Sequence, residues 1–341
     1  MDSALCGRRR GPLYWHVVTS PAAGALEARD PTRGPARAAW DVVGVGANAV
    51  DLVNVVCRYP QPHGPFAKVR VAKRMLCCGG QITSALATCA RFGLRTSYVG
   101  AIGTDEHGRL LTEALAARGV DATHAIRREA ANQFAVIILD ETSGERVIVW
   151  DRDPRLALRE NEIPAELIRS ARLLHVDDVD PDAAIAAAGI ARAAGVPVTS
   201  DIDAIGDRTG ALVDAVDIPV FDQHLPTRLT GVSDTESALR VIRRRHRGLL
   251  CATLGAGGAM ALDGDRLHHS PGFKVKTIDT TGAGDVFRGG FIYAWLKGWP
   301  VASVLDFANA AAAISCTRIG AMNGIPSLED VHEMIRTGER T

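Results

Sequence analysis

From Trp40 onward the apolar positions fall into short segments that alternate between two spacings. WDVVGVG (40–46) is a brief apolar run ending in glycines, as a buried strand reads, and QITSALATCARFG (81–93) repeats at helical spacing until Gly93 closes it. TSYVGAIG (96–103) reads as a strand, EHGRLLTEALAARG (106–119) as a helix ended by Gly119, and ARLLHVDD (171–178) as a strand. PDAAIAAAGIARAAG is a helix with Pro181 near its start and Gly195 at its end. VPVTSDID, AVDIPVF, GLLCATLG and MALDG are further strands, and VLDFANAAAAISCTRIG is a late helix. Strand–helix alternation of this kind predicts an α/β fold with a largely parallel sheet covered by helices on both faces.

Two segments break the alternation. DLVNVVCRYP and its continuation to about Lys73, and FAVIILDETSGERVIVW with a turn at Thr142–Gly144, read as strands with no helix to cover them. They predict a small β-sheet lid, with strands within about 50–75 and 126–152, able to close over a site.

Charge narrows the partners. The 39 Lys and Arg balance 39 Asp and Glu, so no global basic field points to nucleic acid or to a membrane surface, and a small ligand is expected. No run of about 18 apolar residues offers a membrane span. Seven scattered cysteines without a CxxC pair suggest neither a disulfide framework nor a zinc site, and with the absence of a secretion signal they point to the cytoplasm. Adjacent Cys77 and Cys78 read as small packing residues. Residues 1–39 mix Pro, Gly, Ala and Arg without a period, which predicts a loose extension.

The strongest chemical signal is 279-DTTGAGDVFRGGF-291. It reads as an apolar strand, FKVKTID, running into a glycine turn and then a helix from about Asp285. The first turn of a helix has unpaired N–H groups and a positive dipole end, so Gly282, Ala283 and Gly284 can cradle a phosphate. A carboxylate in that turn would be repelled by the phosphate unless it had a task. Asp285 fits a general base that takes a hydroxyl proton while the helix end stabilises the transferring phosphoryl group. The alternative is an aspartate that simply caps the helix.

Other glycine sets are weaker alone. TLGAGG (253–258) suits a nucleotide's ribose and phosphates, or a hairpin turn. CGGQITSAL (78–86) opens a helix with amide and hydroxyl groups, and Asp51, read at the end of the first strand, would complete a polyol-binding set at the carboxyl ends of the strands. GVGANA (44–49) imitates a dinucleotide fingerprint, but the next residues read as extended and carry no acid at the required distance. HVDDVDPD (175–182) can be read as a metal site, but an ordinary helix start at Asp180–Pro181 is favoured. His224, His268 and His269 lack metal-ligand spacing.

These residues together resemble the ribokinase-like (PfkB) carbohydrate kinase family. DTTGAGDVFRGGF is similar to its C-terminal signature and GGQITSALATCARFGLRTSYVGAIGTDEHG to its N-terminal one, with GVGANAVD and TLGAGG in the matching order, over about Trp40 to Pro326. The resemblance implies a Rossmann-like three-layer sandwich with a mostly parallel central sheet and a β lid, as one kinase domain over 40–335. It implies ATP and Mg2+ as cosubstrates and phosphorylation of a sugar hydroxyl. The family's base falls on Asp285 and its anion hole on Gly282, Ala283 and Gly284; its sugar contacts fall on Asp51, Gly79 and Gly80. Its nucleotide contacts fall on Thr253, Gly255 and Gly258, with Asn309 flanking the adenine. A monovalent cation (K+), in members that have one, would use Asp279 and carbonyls near Cys316 to Gly320. A homodimer through the lid is implied as well.

The chain departs from the pattern. Ser84, with Gln81 nearby, replaces the sugar-binding asparagine, and DQHL (222–225) stands where NxxE organises magnesium and phosphate, leaving Asp222 as a partial substitute. With WDRDPRLAL, these changes are more similar to the ketohexokinase-like and sulfofructose-kinase-like branch than to ribokinase proper. Arg288 meets either an anionic sugar substituent or a salt-bridge partner on the helix surface. The reading is an ATP-dependent kinase for a ketose or related sugar. Its rivals are a kinase for a nucleoside or a sugar phosphate, and a catalytically weak nucleotide- or sugar-binding regulator.

Overall fold

The computed structural model describes residues 38–341, so the extension expected over 1–39 lies outside the described residues but for Ala38 and Ala39. The chain begins with β1 (Trp40–Val45), then β2 (Ala49–Val56) and β3 (Val71–Gly79), followed by α1 (Gln81–Arg91), β4 (Thr96–Val99) and β5 (Ala101–Gly103). Next come α2 (Glu106–Ala117), β6 (Val120–Asp121), β7 (Ile126–Arg128), β8 (Phe134–Asp140), β9 (Arg146–Asp151) and α3 (Ala165–Arg169). Then β10 (Ala171–Asp177), α4 (Pro181–Ala194), β11 (Val198–Ile202), α5 (Thr209–Ala215), β12 (Ile218–Phe221), α6 (Leu225–Thr230) and α7 (Thr235–Arg243) alternate. The end is built from β13 (Leu250–Thr253), β14 (Ala259–Asp263), β15 (Arg266–Ser270), α8 (Ala283–Leu296), α9 (Val301–Ser315) and α10 (Leu328–Thr337).

Nine strands form the central sheet in the order β15-β14-β13-β12-β11-β10-β1-β4-β6. It is parallel from β13 to β6, and β14 and β15 close one edge as antiparallel strands. Its inner strands β1, β10, β11, β12 and β4 are buried along nearly their whole length because helices cover both faces. On one face α1, α8 and α9 bury an aromatic cluster in which the Phe92, Tyr293 and Phe307 rings meet at 5.3–5.4 Å. On the other face α4 presents Ala183, Ala184, Ala187, Ala188 and Ala191, whose small side chains let the helix lie close to the sheet. Pro181 at the first turn and left-handed Gly195 at the end bound that helix.

The two segments without helices form a separate sheet, β3-β2-β8-β9. β8 alternates buried and half-buried positions, and Val53, Val55, Cys77, Ala135, Ile137 and Leu139 make a small core on one face. β9 is exposed along its whole length.

Three expectations change. TSYVGAIG is two strands: a Cβ on Gly100 would overlap the Tyr98 hydroxyl and the Gly46 carbonyl, and after this kink β5 leaves the central sheet to pair with β7. FKVKTID is not a strand; Phe273 bridges to Arg340, but nothing beyond β15 offers the rest of the segment a ladder. Asp51 is not at the end of the first strand but the third residue of β2, so it belongs to the small sheet.

Candidate active site

The glycine turn at 282–284 is built as a helix N-terminus. Gly282 caps α8 with φ 77 and offers no side chain to the first-turn amides. Ala283 N donates to Thr280 O at 3.3 Å, whereas the amides of Gly284 and Asp285 meet no backbone acceptor among the described residues. Unpaired donors at the positive end of a helix are an anion site. Asp279 holds this turn in place. Its Oδ1 accepts from Thr281 N at 2.9 Å and its Oδ2 from Gly320 N at 2.8 Å, while Ile278 N and Asp279 N donate to Cys316 O at 2.7 and 3.1 Å. The turn is thereby tied to the segment after α9, and a Cβ on Gly282 would overlap the Ala321 methyl.

Asp285 stands in the first turn of α8, half-buried. Burial pushes its carboxyl up to about 7; Asp203 and Asp51 push the same way, while the Arg288 charge and the Ser84 hydroxyl oppose them. Asp51 is 6% exposed and is raised to about 7 by burial and by Asp279. Gly79 is required beside it, because a Cβ there would overlap Asp51 Oδ2 and come within 3.7 Å of the Ala321 methyl. Gly80, at φ 98, lies so close to the backbone of Asn48 that no Cβ fits. Ser84 and Gln81 follow in the first turn of α1, and the Gln81 Nε2 is buried without a partner.

TLGAGG forms the hairpin turn between β13 and β14. Gly255 and Gly258 have φ values of 57 and 91, and a Cβ on Gly255 would lie 2.8 Å from Gln223 Oε1. DQHL therefore touches this loop. Asp222 Oδ1 accepts from His224 N at 3.0 Å, and Thr253 Oγ1 donates to Phe221 O at 3.4 Å. Asn309, on α9, commits its Nδ2 to Ser270 O at 2.9 Å and to Ser270 Oγ at 2.8 Å.

The acids of HVDDVDPD have protein partners. Asp177 accepts from Ala47 N at 2.6 Å, Asp178 from Asp203 N and Ala204 N at 3.0 and 2.9 Å, and Asp180 pairs with Arg152 at 2.6 Å. Arg288 departs from both of its expected uses. It is 4% exposed and its Nη2 lies 2.6 Å from Asp201 Oδ1, itself 2% exposed, so it is neither a surface salt bridge nor open to a sugar substituent.

Sequence reasoning missed Asp201, Asp203 and Gln133. The two acids end the segment VPVTSDID at the sheet's carboxyl edge, a position that itself marks ligand sites in such sheets. Burial raises Asp203 to about 6, with Asp178 and Asp222 adding repulsion. Gln133 precedes β8, where its carbonyl accepts from Val50 N at 3.0 Å and its buried Oε1 has no partner.

The profile of the pfkB family carbohydrate kinases matches residues 55–328. The chain belongs to this family, and with it to the phosphotransferases that act on an alcohol group. It is similar to the ATP-dependent ribose-1-phosphate kinase of Halopiger xanaduensis, 31% identical over 280 residues that cover 80% of this chain and 90% of that one. Fructokinase-2 of Oryza sativa subsp. japonica is 28% identical over 285 residues, covering 75% and 84%. The crystal structure of ribokinase from Thermotoga maritima superimposes with a TM-score of 0.73 at 25% identity, covering 87% of this chain and all of that one, and has the same ribokinase-like α/β fold.

Proposed function

We propose that this chain transfers the γ-phosphoryl group of ATP to a hydroxyl of a ketose or related sugar. The observation that carries the reading is Asp285 in the first turn of a helix whose adjacent amides are free for an anion. The sugar hydroxyl gives its proton to Asp285, and the Gly282–Gly284 turn holds the phosphoryl oxygens as charge develops on them. A carboxyl raised to about 7 suits a base that works near neutral pH. Asp51, Gly79, Gly80, Gln81 and Ser84 line the acceptor side, and Thr253, Gly255, Gly258 and Asn309 the nucleotide side.

The donor set fits magnesium nucleotide. The free amides suit the phosphates, and Asp222 Oδ2, without a protein hydrogen bond among the described residues, is available to Mg2+. The metal supplies charge neutralisation on the phosphates. A monovalent cation such as K+ beside Asp279 and the carbonyls of 316–320 would brace the turn that carries Gly282.

A sugar phosphate, the class named for the Halopiger relative, is the second reading. It is disfavoured because Arg288, the cation expected to meet such a substituent, is committed to Asp201. A catalytically weak binding protein remains the reading to exclude. The lid role of the small sheet, a homodimer along β9 and a cytoplasmic location complete the proposal; Val147, Ile148, Val149 and the 64% exposed Trp150 give that edge an apolar surface.

ADP release is measured with Mg-ATP and potassium across fructose, ribose, ribose 1-phosphate, nucleosides and no acceptor, with Asp285→Asn in parallel. Acceptor-dependent release with fructose or another neutral sugar that vanishes in the variant supports the reading. Release with ribose 1-phosphate alone would transfer it to the sugar-phosphate class, and ATP binding without any release would favour the binding protein.

A further inference from the structure

Arg288 is a buried charged side chain beside the site that the phosphoryl-transfer scheme leaves unused. It follows Asp285 by three residues on α8, and a helical side chain leans back toward the preceding turn. A Cβ on Gly284 would lie 2.8 Å from its Nη1, so the guanidinium runs beneath the anion-hole turn. At the sheet, Nη2 is 2.6 Å from Asp201 Oδ1 and donates to Val220 O at 3.2 Å. Asp201 and Val220 are direct partners across β11 and β12. One guanidinium therefore joins the first turn of α8 to two adjacent strands at their carboxyl ends.

The surroundings are acidic or neutral. Asp51 faces Asp285 from β2, Asp203 from just beyond β11, and Asp178 faces Arg288 from the end of β10. His175 on β10 is held neutral by burial, and burial pushes the Cys251 thiol on β13 up to about 12. Arg288 is the cation that acts on Asp285.

We propose that Arg288, oriented by Asp201, is a positioning residue for phosphoryl transfer: it fixes the first turn of α8 against β11 and β12 and places a positive charge beneath the turn that carries Asp285. The inference rests on Asp285 as the base. Removing one member of a buried pair leaves an uncompensated charge and threatens folding. The main test is therefore Arg288→Met/Asp201→Asn, which removes both charges, with Arg288→Lys and Asp285→Asn alongside.

The carboxyl 13C titration of Asp285, assigned by its loss in Asp285→Asn, is followed together with the acid limb of kcat for the acceptor that supports ADP release. The expected result in the double variant is an Asp285 titration about one to three pH units higher. In Arg288→Lys, which keeps the charge but loses the fork, the titration stays near that of the native protein while kcat falls; this variant also serves if the double one does not fold. An unchanged titration with native kcat in either variant would reduce Arg288 to a packing residue and overturn the inference. Native turnover in Asp285→Asn would remove the base itself, and that outcome is read separately.

Discussion

The carboxyl edge of the central sheet and the small sheet follow opposite rules. At the edge and the turn beside it several acids are tied: Asp177 to Ala47, Asp178 to the 203–204 backbone, Asp201 to Arg288, and Asp279 to Thr281 and Gly320. In the small sheet Asp51 has no hydrogen-bond partner among the described residues, the buried core is six side chains, and β9 has none buried. The first arrangement holds charged groups at fixed positions, the kind of order on which electrostatic preorganisation depends. The second leaves a carboxyl without a protein partner and a sheet with a small core to resist movement.

The contrast can be broken most sharply at its fixed side. Asp285→Asn is expected to lower kcat by about 10²–10⁴ while ATP binding, followed by thermal shift, persists. Turnover close to the native value would take Asp285 out of the chemistry. Next in size is a pair of cavities. Phe307→Ala in the central core should cost about 3–5 kcal/mol of global stability in urea unfolding. Ile137→Ala in the small sheet should instead show mainly as faster amide exchange in β2 and β8. Equal falls in the global midpoint would mean that the two sheets unfold as one unit.

A third test uses pH. Asp51 has a folded-state value of about 7 against 3.8. The folded state thus holds its proton more tightly, and this contribution to stability is full below the lower value and is lost as pH rises toward 7. Asp51→Asn should therefore raise the thermal midpoint at pH 8 much more than at pH 5, even as it harms acceptor binding. A variant that loses stability at pH 8 would show Asp51 to be held by a charge or ligand rather than left open. The smallest expected effect on chemistry is at the far edge: Trp150→Glu should shift sedimentation from dimer to monomer with little change in stability. A monomeric native protein would leave the apolar face of β9 without the second copy.

The legible parts of the molecule were those written in local order. Apolar runs ending in glycine gave β1 and β13, Pro181 and Gly195 bounded α4, and FAVIILDETSGERVIVW gave the β8–β9 hairpin. The GAGD turn was legible because cap, amides and carboxylate are consecutive. What escaped depends on residues far apart in the chain. The break at Gly100 needs the Tyr98 hydroxyl and the Gly46 carbonyl, the fate of FKVKTID depends on whether a neighbouring strand exists, and Arg288 meets Asp201 across 87 residues, 288 minus 201. A buried arginine and a surface one look alike in sequence.

Ala321 carries a consequence for redesign. Its methyl is in reach of the missing Cβ of Gly79, next to Asp51, and of the missing Cβ of Gly282, at the cap of α8. One small side chain thus sits between the end of β3 and the cap of α8, the two stretches proposed to meet the acceptor and the phosphate. A larger residue at 321 would press on both stretches at once, on the cap of α8 more closely than on Gly79.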